Sequence, residues 1–159
     1  SQANITLLEY GDYQCPSCGF AHPLIKRLMK QFYGELRFVF RNFPLHEAHP
    51  FALMAALAAE AAALQNKFWE MHDIIYENQE DLDDNTLLHW ADILKLNLPK
   101  FTKDCQNQSL LLKIEKEIEN GVRSGVNGTP TFFINGTRLD SYYDSYESLE
   151  YAIKSAMEG

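Results

Sequence analysis

The chain has 159 residues, 46% hydrophobic and 13% aromatic, and its 22 acidic residues outnumber 14 Lys and Arg for a net charge of −8. That length supports one domain with a real core, and with no apolar run of membrane length, direct insertion into a bilayer is not expected. An acidic chain without a basic cluster argues against nucleic acid as a partner, and three cysteines are too few for a disulfide-stapled scaffold.

Residues 4–10 read as a buried strand that ends in the turn Gly11-Asp12. Cys15 to Tyr33 carries Phe20, Leu24, Leu28 and Phe32 on one stripe and is predicted to be a helix stopped by Gly34. Leu36 to Arg41 is a second strand, and the helix before it is long enough for a parallel crossover, so a β-α-β unit results. Between Pro50 and Ser124 nothing reads as a strand. Helices are predicted over Phe51–Leu64, Phe68–Tyr76, Thr86–Leu94 (capped by Asp84 or Asn85), Pro99–Asp104 and Leu110–Ser124. This block, residues 47–124, reads as a helical insertion. Thr129-Pro130 then opens a strand to Ile134, Asn135-Gly136 is a hairpin turn into Thr137–Leu139, and Ser145–Met157 forms a last helix. No repeat or low-complexity linker interrupts the series, so residues 1–159 read as one α/β domain with an all-helical insertion.

Cys15-Pro16-Ser17-Cys18 lies between the first strand and the first helix. A C-x-x-C pair there is a redox device, because its spacing lets two sulfurs meet across one helical turn. Unpaired N–H groups and the positive end of the helix favour a thiolate on the first sulfur, and Pro16 suits the first turn, where its missing donor costs nothing. Cys15 is therefore expected to be exposed at the helix start and to act as nucleophile, with the shielded Cys18 resolving the mixed disulfide. A structural bridge or half of a zinc site are the alternatives. So short a loop restrains little chain entropy, and neither a fourth cysteine nor an H-x₃₋₅-H pair completes a zinc finger.

Glu-Tyr-Gly-Asp-Tyr-Gln-Cys-Pro-Ser-Cys, Phe-Arg-Asn-Phe-Pro-Leu, Lys-Phe-Trp-Glu-Met-His-Asp and Gly-Val-Asn-Gly-Thr-Pro-Thr-Phe-Phe-Ile-Asn-Gly occur in this order along the chain. Together they resemble the landmarks of the DsbA-like proteins. The resemblance covers nearly the whole chain and implies a thioredoxin-like fold, with β-α-β and β-β-α halves around a mixed central sheet and a helical insertion. It implies a thiol-disulfide oxidoreductase acting on cysteine-containing, unfolded or partly folded proteins, with a separate redox partner to reset the cysteine pair. No cofactor is expected beyond the Cys15–Cys18 disulfide. Thr129-Pro130 resembles the family's cis-proline loop, which with Pro16 and Ser17 would form the substrate-binding edge. Glu9 occupies the position of a buried acid beneath the disulfide and would exchange a proton with Cys18; by strand alternation, an exposed Glu9 is the alternative reading. Ser17 replaces the His of the best-known oxidants, a group that stabilises the thiolate there, so their strong oxidising power cannot simply be carried over from the resemblance.

Disulfide isomerase or reductase activity is a second reading, and a redox module of a larger membrane-associated protein is a third. A periplasmic or other extracytoplasmic location is expected, with an export signal or upstream domain trimmed ahead of Ser1; a cytoplasmic one is not excluded. Outside the motif, Cys105 reads as a packing residue. His46 and His49 lack a completing ligand apart from Glu47, so no metal is expected. His72, His89 and the stripe Phe68, Trp69, Met71 and Ile74 read as helix core or surface. Tyr142, Tyr143 and Tyr146 read either as the border of a peptide groove or as anchors of a loop.

Overall fold

The computed structural model describes residues 3–159. Four strands form one mixed sheet in the order β2-β1-β3-β4. β1 (Ile5–Gly11) lies parallel to β2 (Leu36–Asn42), with Ile5 opposite Leu36 and Gly11 opposite Asn42. Helix α1 (Pro16–Gln31) makes the crossover. On the other side β1 pairs antiparallel with β3 (Thr131–Ile134), which turns at Asn135-Gly136 into β4 (Thr137–Arg138). Both turn residues have positive φ, 49° and 86°, as a tight hairpin of this twist requires. Gly34 likewise takes φ +84° just beyond α1, the conformation that ends the helix and aims the chain into β2.

Five helices run between β2 and β3: α2 (Ala52–Ala63), α3 (Phe68–Glu77), α4 (Asp84–Ile93), α5 (Leu98–Asp104) and α6 (Gln108–Arg123). A short 3₁₀ turn, Gln79–Asp81, joins α3 to α4. Helix α7 (Tyr146–Glu158) closes the chain. Asp83 caps α4, one residue before the predicted candidates, accepting from Thr86 N while the Thr86 hydroxyl accepts from Asp83 N. The reciprocal pair satisfies two donors at once, which a cap at Asp84 or Asn85 would not do.

One core lies between the sheet and helices α1 and α7, where Leu7, Ala21, Leu28, Phe132, Leu149 and Ile153 are buried. A second core lies within the insertion. It is centred on the alanines of α2, whose small side chains let Met71, Ile75, Trp90, Phe101 and Ile114 pack close to the helix. Tyr13, Cys15, Cys18 and Phe40 belong to this second core, so the motif sits where insertion and sheet meet.

Phe20 departs from the predicted stripe and is 56% exposed. A strict four-residue repeat drifts by about 40° per step around an α-helix, so Phe20 cannot share a face with Phe32. The buried face instead runs through Cys18, Ala21, His22, Ile25 and Leu28.

Gly11 ends β1 in tight quarters: a Cβ there would lie 2.4 Å from Phe40 Cε1 and 2.7 Å from Glu9 Oε2. Gly11→Ala is expected to destabilise the fold by about 1–3 kcal/mol, the usual cost of overpacking, and a thermal melt checks this.

Candidate active site

Strand β1 delivers the chain into the turn Asp12-Tyr13-Gln14, and Cys15 follows as the N-cap of α1 with extended backbone, φ −72° and ψ 123°. Pro16 holds the first helical position. Asp12 organises this turn. Its carbonyl accepts from Cys15 N at 3.1 Å, and its buried carboxylate accepts from Gln14 N, Leu45 N and His49 Nδ1 at 2.7, 2.9 and 2.7 Å. His49 is thus tied to Asp12. From the insertion, Gln79 Nε2 donates to the carbonyls of Tyr13 and Cys15 at 2.8 and 2.9 Å, which fixes the other side of the turn.

Cys15 is only 7% exposed, which corrects the expectation of an open sulfur at the helix start. A helix tip alone would leave it open, but here the Thr129-Pro130 loop and the insertion close around it. Its sulfur lies 3.6 Å from the carbonyl oxygen of Thr129, a contact across 114 residues of sequence. The Thr129–Pro130 peptide bond is cis. Pro16 and Ser17 are exposed beside the sulfur, and Thr129 and Pro130 are partly so. A cavity of about 350 Å³ continues from Pro130 past Asn127, Arg138, Asp140 and Tyr142. Tyr142 packs edge-on to Phe132, Tyr143 is exposed, and Tyr146 is buried beneath the Arg27 guanidinium. Of the three tyrosines, then, Tyr142 borders the cavity and Tyr146 anchors the loop.

Both motif cysteines are free thiols here, and their acidities diverge. A hydrogen bond from the Cys18 thiol, joined by Thr129 and the N–H groups of Cys18 and Ser17, outweighs burial and brings Cys15 down to about 5. Cys18 is pushed the other way, first by burial, then by its bond to Cys15 and by the charge of Glu9. At neutral pH one sulfur is a thiolate and its partner a thiol. Glu9 is 3% exposed rather than at an open strand edge, and burial, reinforced by the charge on Cys15, raises it to about 8. Its Oε2 has no hydrogen-bond partner. An acid protonated at neutral pH and electrically coupled to both sulfurs can give or take the proton that a buried Cys18 needs.

Alkylation of reduced protein is therefore expected to be fastest at Cys15, with a rate that rises through pH 5 and is flat by pH 7; a midpoint near the ordinary thiol value would contradict the geometry. Cys105 lies far along the insertion and burial raises it to about 11, which makes it unreactive at neutral pH.

Cys15, Cys18, Glu9, Pro16, Ser17, Thr129 and Pro130 are brought together around one helix tip. Asp12 and Gln79 join them, and neither is singled out by the sequence pattern. The one signal for Asp12 is its place in the turn, three residues before Cys15, whereas nothing local marks Gln79.

The thioredoxin family model matches residues 1–155. The chain belongs to the thioredoxin family. Among solved structures, oxidised BdbD from Bacillus subtilis superposes with a TM-score of 0.87 at 24% identity, over all of this chain and 90% of that one. The catalytic domain of Proteus mirabilis ScsC gives 0.85 at 20% identity, over 100% of this chain and 86% of that one. These likenesses show the thioredoxin fold in its DsbA-like form. Among curated proteins, a Na⁺/H⁺ antiporter NhaA 1 of Salinispora arenicola is 40% identical over 99% of this chain, and NhaA 3 of Salinispora tropica is 41% identical over 98%. The chain spans about a quarter of the length of these relatives, 24% in each case. No helix of the described residues is long and apolar enough to cross a membrane.

Proposed function

We propose that the protein is a thiol-disulfide oxidoreductase that exchanges disulfides with cysteines of unfolded or partly folded proteins through Cys15 and Cys18. The observation that carries this reading is the pairing of a low-pKa sulfur with a high-pKa one at a single helix tip, against the Thr129-Pro130 loop. In the oxidising direction a substrate thiolate attacks Cys15 Sγ of the Cys15–Cys18 disulfide, and Cys18 leaves. Cys18 takes the Glu9 proton, since a bare thiolate at its depth is disfavoured. A second substrate thiolate then attacks the substrate sulfur of the mixed disulfide and expels Cys15, which leaves readily because its thiolate is stable. Two electrons have passed from two substrate thiols to the enzyme pair, and a separate redox partner removes them. Pro16, Ser17, Thr129 and Pro130 line the approach, so an extended substrate segment would lie against the loop backbone. No metal or organic cofactor enters these steps.

The same thiolate stabilisation favours the reduced pair, so electrons are read as flowing from substrate to enzyme. Isomerisation and net reduction rank behind it. The test mixes oxidised protein with a reduced, unfolded two-cysteine substrate. Transfer of one disulfide per chain, with Cys15 and Cys18 appearing as thiols, is expected; an intact enzyme disulfide beside unreacted substrate would overturn the reading.

The antiporter relatives favour a second, compatible reading, in which this domain is the extracytoplasmic redox part of a longer membrane protein. An immunoblot of fractionated cells decides it. A membrane-bound band about four times the 18.3 kDa of this chain supports the fusion, and a separate 18.3 kDa species in the soluble fraction refutes it.

A further inference from the structure

One helical turn beyond Cys18, α1 and α3 bring together a set of donors that the proposed exchange chemistry does not use. His22, on α1, is four residues beyond Cys18, and His72, Asp73 and Glu77 are on α3. One donor atom each from His22, His72 and Asp73 lie within 4.8 Å of one another. His22 Nε2 is 3.7 Å from Asp73 Oδ1 and 3.0 Å from Glu77 Oε2. Tetrahedral ligands at zinc bond lengths of 2.0–2.1 Å stand about 3.4 Å apart; the two His22 separations bracket that spacing, and a bound ion would draw His72 and Glu77 in toward it.

We propose that His22, His72 and Asp73, with Glu77 as fourth ligand, form a Zn²⁺ site that clamps the helical insertion to the active-site helix. The nitrogen and oxygen donors are those of a borderline cation, not of the hard cations that take oxygen alone. Three further features fit. Tyr13 Oη lies 2.7 Å from His72 Nδ1, which occupies that nitrogen and leaves Nε2 to ligate, as an outer partner does for a metal-bound imidazole. Lys26 Nζ holds Asp73 Oδ2 at 2.9 Å, leaving Oδ1 turned toward His22. Finally, His22, His72 and Asp73 line a cavity of about 610 Å³ between α1, β2 and α3, which gives an ion a way in. Lys26 also lies 3.6 Å from Glu77 and supplies positive charge to the carboxylates without metal. Zn²⁺ would displace the hydrogen shared by His22 Nε2 and Glu77, and Lys26 would keep only its bond to Asp73 Oδ2.

The site stands independently of the exchange chemistry, and its test removes the thiols. A chain carrying Cys15→Ser, Cys18→Ser and Cys105→Ser is titrated with Zn²⁺ against a chromogenic chelator; oxidised wild-type protein, with Cys15 and Cys18 tied up as a disulfide, serves if that variant does not fold. One Zn²⁺ per chain at micromolar affinity or tighter is expected, with a raised melting temperature and, for Co²⁺ in its place, the intense visible absorption of tetrahedral coordination. Asp73→Asn and His22→Gln should each weaken binding at least about tenfold. No binding, or binding that neither substitution changes, would overturn the site.

Discussion

Cys15→Ser is expected to abolish disulfide exchange, leaving activity at or below about a thousandth of the wild-type rate. Cys18→Ser should instead accumulate a stable mixed disulfide through Cys15. The asymmetry follows from depth and acidity. Cys15 lies beside the exposed Pro16 and Ser17, with a thiolate sustained to about pH 5, so it forms the bond to substrate. Cys18 is 1% exposed and strongly disfavours charge, so it reacts only with the neighbouring sulfur. Without that neighbour-directed attack the intermediate has no internal route to release. Peptide mapping of the trapped adduct checks the assignment: substrate on Cys15 is expected, and substrate on Cys105 would remove the pair from the mechanism.

Glu9→Gln is expected to slow the half-reaction in which Cys18 gains or loses its proton by roughly 10²-fold, the lower end of general acid–base catalysis. Cys15 should still alkylate at its usual rate, since Glu9 is not among the groups that stabilise its thiolate. An unchanged exchange rate would exclude Glu9 from proton transfer. The same substitution has a stability signature. The folded-state pKa of Glu9 is raised from 4.5 to about 8, so the folded protein holds a proton that the unfolded chain releases. Glu9 therefore makes the fold lose stability as pH rises from about 4.5 to 8, with its contribution intact below 4.5. Glu9→Gln should flatten that decline. Oxidised protein isolates the part of this signature that burial causes, because it lacks the Cys15 charge that helps raise Glu9 and because in the reduced form Cys15 acts oppositely: its lowered pKa adds stability as pH rises from about 5 to 9.

The β-α-β unit and the hairpin were legible because local patterns determine them: alternating apolar residues, Gly34 after a helix and Asn135-Gly136 between strands. The insertion was legible as helices, and the cysteine motif as redox chemistry. What escaped depended on partners distant in sequence. Asp12 meets His49 across 37 residues, and Gln79 meets Cys15 across 64. Cys15 looked open because a helix tip is open in isolation, and only tertiary packing brings Thr129 over it. His22 and His72 read as unrelated residues until α1 and α3 were placed side by side. Glu9 was undecided because alternation gives a strand two faces but does not say that both are covered.

Equilibration of the protein in glutathione buffers of graded potential, with the cysteine pairing read by mass spectrometry, tests the central claim most directly. The account requires one two-electron transition belonging to Cys15–Cys18, at a potential above about −200 mV, toward the oxidising end of the known range. A pair that never forms a disulfide, or one in which Cys105 takes the place of either sulfur, would contradict it.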